Sequence, residues 1–154
     1  MAYRYDILEP DTDRNKALDD FSAAMGALYV ESWNRDKEPV YHKPFSPNIA
    51  AFAQLWFTQS LKLFIAYDGD KPVGFLIGMV FRPLPYEASV FQIEDWYGSG
   101  IEEIERGLFD YATNAVRFMG CDEIWLADRA DREPVPMRGW KVANAFRYHR
   151  FTKE

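Results

Sequence analysis

The sequence predicts a single α/β (α+β) domain in which helices cover the faces of one mixed β-sheet. Segments of alternating or continuous apolar residues, typical of strands, are separated by segments whose apolar residues recur at helical spacing. A strand, a glycine break, a helix and another strand follow one another around Gly98–Gly100, which indicates a crossover between parallel strands. The 154 residues are enough for one ordinary domain. We therefore expect one domain spanning 1–154 with the element order β-α-α-β-β-β-α-β-β.

The first part of the chain predicts one strand followed by two helices. Alternating apolar and polar residues over Tyr3–Ile7 indicate a half-buried strand. Asp11–Asp13 offers capping side chains for a helix from about Arg14 to Trp33, whose apolar residues lie on one face. The polar segment Asn34–Phe45 is expected to be a loop. Ser46-Pro47 then supplies a capping hydroxyl and a first-turn proline for the second helix.

A β-hairpin is predicted at the centre of the sheet. Strand Leu61–Tyr67 is followed by Asp68-Gly69, a dipeptide typical of tight hairpin turns. The returning strand, Pro72–Phe81, is almost wholly apolar, which favours a position in the middle of the sheet. Gly74 and Gly78 within this strand indicate a bulge or a close approach of another group to the backbone.

The second part of the chain predicts the crossover unit and a C-terminal strand region. Gly120 is expected to end the long helix, because glycine is the usual residue after a helix C-terminus. The segments follow in chain order as strand Ala88–Trp96, the glycine break, a helix from Ile101 to Met119, strand Asp122–Ala127, a charged loop over Asp128–Arg138, and one or two strands over Gly139–Thr152.

Composition and charge exclude several classes of function. The net charge of −6 argues against nucleic-acid binding, because such binding depends on neutralising many phosphates with basic side chains. One cysteine, Cys121, excludes an intrachain disulfide framework and favours a reducing, cytoplasmic compartment. No stretch fits a secretory leader or a membrane span, so no membrane partner is expected. Two histidines far apart in sequence, with a single cysteine, give no metal-ligand spacing, and we expect no metal.

Three segments give the chain its resemblance to a known family. They are the hairpin Leu63–Phe75, the helix and strand over Leu108–Leu126, and the late pair Gly139-Trp140. Together with the element order, they resemble the GNAT superfamily, the GCN5-related N-acetyltransferases. The resemblance implies acetyl-CoA as cosubstrate and a primary amine as acceptor, either of a small molecule or of a protein lysine or N-terminus. Exposed aromatic rings at the C-terminal edge would also make a homodimer unsurprising.

In that family, a loop of pattern Arg/Gln-x-x-Gly-x-Gly/Ala binds the coenzyme pyrophosphate through backbone N–H groups. Matching the glycines aligns the loop with Asp95–Gly100, where Asp95 replaces the basic residue. Counting back from the helix end aligns it instead with Gly100–Glu105. The resemblance implies these coenzyme-binding residues: Trp96, Gly98, Ser99, Gly100, Ile101 and Arg106.

The start of the long helix departs from the family pattern. Glu102, Glu103 and Glu105 occupy its first turns, where the pyrophosphate would lie. Acidic residues there stabilise the helix itself, but they repel a phosphate. Arg106 is the nearest cation in the sequence that could compensate.

Acetyl transfer to an amine needs a base for the amine proton and a polarised thioester carbonyl. Glu94 and Asp95, on the strand before the glycine break, are the candidate bases, and Glu94 is favoured. Because adjacent strand residues point to opposite faces, only one of the two is expected to face a substrate cleft. Tyr97 can donate a proton to the leaving thiolate. Tyr41 and His42 are expected to contact the acceptor.

The family's usual helix after the fifth strand, with its tyrosine acid, is also altered. Ala127–Arg138 contains Pro134 and Pro136 and has no tyrosine. Three hypotheses therefore stand. The first is an N-acetyltransferase that uses acetyl-CoA. The second is a catalytically silent GNAT-fold binding or structural protein, a kind found among phage-encoded relatives. The third is a transferase whose donor lacks pyrophosphate.

Overall fold

The structure is a computed structural model that describes residues 2–35, 49–83, 87–126 and 137–141. Within these ranges the element order is β-α-α-β-β-β-α-β, as the sequence predicts. The strands predicted over Gly139–Thr152 lie almost wholly outside the described residues. The elements are β1 (Arg4–Ile7), α1 (Arg14–Arg35), α2 (Ile49–Phe57), β2 (Leu61–Asp68), β3 (Lys71–Phe81), β4 (Val90–Tyr97), α3 (Glu102–Phe118) and β5 (Glu123–Leu126).

The five strands form one mixed sheet in the order β1-β2-β3-β4-β5. The first four pair antiparallel, and β5 pairs parallel to β4 after the α3 crossover. The apolar strand β3 is in the middle of this sheet, which confirms the sequence-based prediction. The mixed α/β fold class is likewise confirmed.

Two hydrophobic clusters cover the two faces of the sheet. Helices α1 and α2 pack on one face, and α3 packs on the other. Burying a large apolar side chain of this kind contributes roughly 1.5–3 kcal/mol before entropy is counted. The α1/α2 cluster includes Phe21, Met25, Tyr29, Trp56, Leu63, Ile65, Phe75 and Ile77. The α3 cluster includes Phe64, Leu76, Phe91, Ile93, Ile104, Leu108, Phe109 and Val116.

The two glycines of β3 lie where other groups approach the backbone closely, as predicted. A Cβ on Gly78 would lie 2.4 Å from the Phe91 ring. A Cβ on Gly74 would lie 2.7 Å from Ile104 Cγ2 and 2.8 Å from the Tyr97 carbonyl oxygen. These glycines therefore allow α3 and β4 to pack against the middle strand.

Helix ends follow the predicted signals where they are described. The Asp13 carboxylate accepts hydrogen bonds from the backbone N–H groups of Asn15 and Lys16, at 2.9 and 3.2 Å, and so caps α1. Helix α1 continues to Arg35, two residues beyond the predicted Trp33, and the residues after Arg35 lie outside the described part of the chain. Gly120, with φ of +89°, follows α3 as expected. The predicted start of α2 at Ser46-Pro47 lies outside the described residues.

No helix in the described part of the chain is long and apolar enough to cross a bilayer.

Candidate active site

Strand β4 pairs with β5 and leads into the turn before α3. Val90–Ile93 pair in register with Glu123–Leu126, and β4 continues from Ile93 to Tyr97. The residues that follow Leu126 lie outside the described part of the chain. The C-terminal end of β4 comes directly before the glycine turn and the N-terminus of α3 in the chain. Ligands of α/β folds commonly bind at the carboxyl ends of strands.

Glu94 is the extra residue of a β-bulge. Ile77 of β3 lies opposite Asp95, and the next residue, Gly78, lies opposite Ile93, so the register leaves Glu94 without a cross-strand position. A bulge of this kind shifts the alternation of the following side chains by one and re-aims them.

The bulge changes which residues share a face. Before it, Ile93 packs in the α3 cluster; after it, Trp96 packs there, with its ring 5.2 Å from the Phe109 ring. Asp95 lies opposite Ile77, a member of the α1/α2 cluster, and Tyr97 belongs to that cluster.

Both candidate bases consequently lie on the α1/α2 side of β4. Glu94 accepts a hydrogen bond from Gln92, two residues earlier on that same side, at 3.0 Å. The prediction that these adjacent residues point to opposite faces does not hold at the bulge, because it assumed an unbroken strand. The bulge brings Glu94, Asp95 and Tyr97 to one face.

The environment of Glu94 favours its protonated form more than water does. Its side chain reaches the surface, yet partial burial raises the pKa of the carboxyl above its ordinary value of 4.5. The hydrogen bond from Gln92 acts in the opposite direction and lowers the pKa of Glu94. A base whose pKa is moved towards neutral pH accepts a proton more readily.

Asp95 and Tyr97 have defined hydrogen-bond partners. The Asp95 carboxylate accepts a hydrogen bond from the Trp96 backbone N–H at 2.8 Å. That N–H group is thus directed at Asp95. The Tyr97 hydroxyl donates to the Glu31 carboxylate of α1 at 2.7 Å.

The glycine break forms a tight turn directly before α3. The N–H of Ile101 donates to the carbonyl oxygen of Gly98 at 2.8 Å. The two central residues, Ser99 and Gly100, have φ of +53° and +75°, as in a type I′ turn. Ser99 is held by a hydrogen bond from its hydroxyl to the carbonyl oxygen of Val73, at 2.6 Å. Successive left-handed residues turn their N–H groups towards one side, an arrangement that can bind an anion.

The N-terminus of α3 has no side-chain cap. No side chain caps the helix at Ile101, and a Cβ on Gly100 would meet no atom within 4 Å. The backbone of the turn and of the first helical residues is therefore accessible to a bound group.

The charge at the same place opposes a phosphate. Glu102, Glu103 and Glu105 all lie in the first turn. Arg106 forms an ion pair with Glu102 at 2.5 Å, with both side chains exposed. The one cation of this turn is thus paired, and Glu103 and Glu105 leave two negative charges beside the expected pyrophosphate position.

A shallow depression extends from this turn along α3 towards β1. It is lined by Tyr5, Glu102, Glu103, Arg106, Gly107 and Asp110. The Tyr5 hydroxyl donates to the Glu103 carbonyl oxygen at 3.1 Å, and the ring lies against Gly107, where a Cβ would be 2.1 Å away. Strand β1 is thereby fixed to the first turns of α3.

The sequence suggested Glu94, Asp95 and Tyr97 as candidates but gave no sign of Glu31. The structure brings Glu94, Asp95 and Tyr97 together and puts the Gly98–Ile101 turn beside them in the chain. Glu31 is 66 positions from Tyr97, and nothing in its local sequence distinguishes it from a surface glutamate. Tyr41 and His42, predicted to contact the acceptor, lie outside the described residues.

No protein-family model matches the sequence, and neither does any curated protein. Solved structures do resemble the fold. An aminoglycoside acetyltransferase from an uncultured soil metagenomic sample, solved in complex with sisomicin, is 18% identical with a TM-score of 0.60, over 92% of this chain and 97% of that one. The ribosomal-protein-alanine N-acetyltransferase of Brucella melitensis biovar Abortus 2308 is 15% identical with a TM-score of 0.57, over 83% of each chain. A predicted acetyltransferase of Clostridium acetobutylicum, solved with acetyl-CoA, is 14% identical with a TM-score of 0.54, over 93% of this chain and 96% of that one. The chain therefore has the GNAT fold, and these neighbours are acetyltransferases.

Proposed function

We propose that this protein is an N-acetyltransferase that moves an acetyl group from acetyl-CoA to a primary amine. The observation that carries the proposal is the end of β4. A bulge at Glu94 and the positive-φ turn before α3 occur within eight residues of chain, in a fold shared with acetyltransferases. A chain with one cysteine cannot form an intrachain disulfide, which is typical of proteins in the reducing cytoplasm, and we propose that this protein acts there.

The reaction needs one base and one proton donor. The amine nitrogen attacks the thioester carbonyl carbon, and Glu94 takes the proton that the nitrogen loses. The carbon–sulfur bond then breaks, and the thiolate takes a proton from Tyr97. Asp95 is the second candidate base, since it shares the face of Glu94. The Gly98–Ile101 turn and the start of α3 would hold the pyrophosphate, with Trp96 and Arg106 beside it.

The acceptor is proposed to be an amine of a small molecule or of a protein lysine or N-terminus. Both kinds of acceptor are represented among the structural neighbours, which include an aminoglycoside acetyltransferase and a ribosomal-protein-alanine N-acetyltransferase. The carboxylates of Glu94 and Asp95 would attract a protonated amine to the same face of β4.

The proposal is tested by thiol release from acetyl-CoA in the presence of a panel of aminoglycosides, polyamines and lysine-containing peptides. We expect amine-dependent release, with acetylated product detected by mass spectrometry. Glu94→Gln should lower kcat by about 10²-fold or more, the usual contribution of a positioned base. Asp95→Asn tests the second candidate base, and we expect it to retain most of the activity because Glu94 is the favoured base. Equal losses in the two variants would contradict the role given to Glu94.

A second function is favoured by the acidic first turn of α3. Glu103 and Glu105 would weaken pyrophosphate binding, as expected of a catalytically silent GNAT-fold binding protein or of a transferase whose donor lacks pyrophosphate. Binding of acetyl-pantetheine without binding of acetyl-CoA would favour the second of these. Binding of neither would favour the first.

A further inference from the structure

The turn before α3 is attached to the middle strand of the sheet by a side chain. The Ser99 hydroxyl donates a hydrogen bond to the carbonyl oxygen of Val73 in β3 at 2.6 Å, a distance typical of good O–H···O hydrogen bonds. Gly98 is buried and Ser99 is half-buried, whereas Gly100 is exposed. One side of the turn is therefore held against the sheet, and the other faces solvent.

Val73 lies at a second bulge of the sheet. The pairing of β3 with β2 passes from Gly74 directly to Pro72, so the register leaves Val73 without a cross-strand position. The registered pairing of β3 with β4 ends at Phe75. The Val73 carbonyl is thus beyond the ladder with β4, and the Ser99 hydroxyl supplies the contact between the two chain segments there.

The backbone of Ser99 is in a conformation that residues with a side chain seldom adopt. Its φ of +53° lies in the left-handed region, where a Cβ comes close to the following carbonyl oxygen. Such a conformation persists where the surrounding structure holds it, and residues of this kind concentrate at binding sites. The hydrogen bond to Val73 is the described contact that holds Ser99 in place.

The position of the turn decides where the first N–H groups of α3 point. Ile101 closes the turn through its N–H and is also the N-cap residue of the helix. Within the described residues, the N–H groups of Glu102 and Glu103 donate no hydrogen bond. N–H groups of a first helical turn that lack a partner are the ones that bind anions.

We propose that Ser99 is a positioning residue for the donor: its hydroxyl fixes the turn so that the first N–H groups of α3 are in place before acetyl-CoA binds. This inference rests on the donor site of the proposed function. The hydroxyl is directed at Val73, so Ser99 would meet the pyrophosphate only through its backbone. Without the bond, the turn is formed in a smaller fraction of molecules, and the apparent Kd rises in inverse proportion to that fraction.

Binding of two donors to two Ser99 variants tests this role. Ser99→Ala removes the hydroxyl, and Ser99→Gly removes it while also relieving the strain of a positive φ. Since one hydrogen bond has a net effect of up to about ten-fold on an equilibrium constant, both variants should raise the Kd of acetyl-CoA by about five- to ten-fold. The Kd of acetyl-pantetheine, which lacks the pyrophosphate, should stay the same. Ser89→Ala is the matched control, because it removes another half-buried hydroxyl, just before the start of β4, and it should bind both donors as the wild type does.

Hydrogen exchange gives a readout that needs no ligand. In the ligand-free protein, the amide hydrogens of residues 98–103 should exchange faster in Ser99→Ala than in the wild type, because the turn opens more often. Ser89→Ala should leave exchange in this segment unchanged. Thermal unfolding of each variant identifies any loss of binding that is a loss of folding.

Each outcome decides a different point. An unchanged Kd of acetyl-CoA in both Ser99 variants would overturn the role given to the hydroxyl. Wild-type affinity in Ser99→Gly alone would overturn it as well, because the backbone conformation and not the bond would then decide binding. Equal weakening of both donors would reduce the bond to a structural contact. A wild-type protein that does not bind acetyl-CoA would instead overturn the proposed donor site, and this inference with it.

Discussion

Replacing Glu105 by glutamine is expected to strengthen the binding of acetyl-CoA about five-fold. The backbone and Cβ of Glu105 lie against the turn before α3. A Cβ on Gly98 would lie 3.0 Å from the Glu105 backbone nitrogen and 3.1 Å from its Cβ. A phosphate held by this turn would therefore lie on the order of 5 Å from the Glu105 carboxylate, given the reach of the side chain.

The magnitude follows from Coulomb's law. Two unit charges about 5 Å apart repel by about 0.8 kcal/mol in a water-like medium, and by about 3 kcal/mol at an effective dielectric constant of 20. Glu105 is only half-buried, so the repulsion expected in a water-like medium applies. The second negative charge of the pyrophosphate increases this repulsion and screening by salt reduces it, so these two effects offset each other. A gain of about 1 kcal/mol corresponds to the five-fold change in Kd.

Isothermal titration calorimetry at low and moderate salt measures this effect. Asp110→Asn is the matched control: it removes the same charge from α3 about 7.5 Å further along the helix, and it should change Kd less than two-fold. Acetyl-pantetheine, which lacks the pyrophosphate, should bind the Glu105 variant and the wild type equally well. An unchanged Kd for acetyl-CoA, or an equal gain for acetyl-pantetheine, would refute the position assigned to the pyrophosphate.

Three further predictions concern the base, the packing and the cap. Gln92→Leu removes the hydrogen bond that lowers the pKa of Glu94, so the acidic limb of the kcat/KM profile should move to higher pH. A limb that moves to lower pH would contradict the role of Glu94 as base. Gly74→Ala should lower the free energy of unfolding, measured in urea, by about 1–3 kcal/mol. The added Cβ would lie 2.7 Å from an α3 side chain. In the control Gly26→Ala, the added Cβ in α1 meets no atom within 4 Å, so this variant should be neutral or stabilising. Asp13→Ala should cost about 1 kcal/mol by the same measurement through loss of the α1 cap, while Asp13→Asn should retain most of the stability.

Local sequence signals predicted the order of the elements. The apolar run of β3 indicated a central strand because both of its faces are covered, and the sheet order confirms this. Gly74 and Gly78 indicated close contacts because a missing side chain in a strand needs a packing reason. Asp13 indicated a helix start because its carboxylate can bind free N–H groups of the first turn. Each of these features depends on neighbours in sequence or on a single periodicity.

The parts of the site that depend on tertiary register could not be predicted in this way. The bulge at Glu94 arises from the pairing of β4 with β3, and one extra residue leaves no mark on a short strand pattern. The direction of Asp95 and Tyr97 follows from that bulge, so the expected alternation failed there. The contact between Glu31 and Tyr97 joins residues on different elements, and only the packing of α1 on the sheet reveals it.

Thermal unfolding with and without excess acetyl-CoA tests the central claim most directly, namely that the end of β4 and the start of α3 bind the donor. Desulfo-CoA and ADP serve as controls for the thioester and for the nucleotide alone. A ligand at a hundred times its Kd adds about 2.7 kcal/mol to the free energy of unfolding, which for a domain of this size raises Tm by roughly 5–10 °C. We predict a shift of this size with acetyl-CoA and desulfo-CoA and a smaller one with ADP. An unchanged Tm at millimolar acetyl-CoA would contradict the assignment of a donor site.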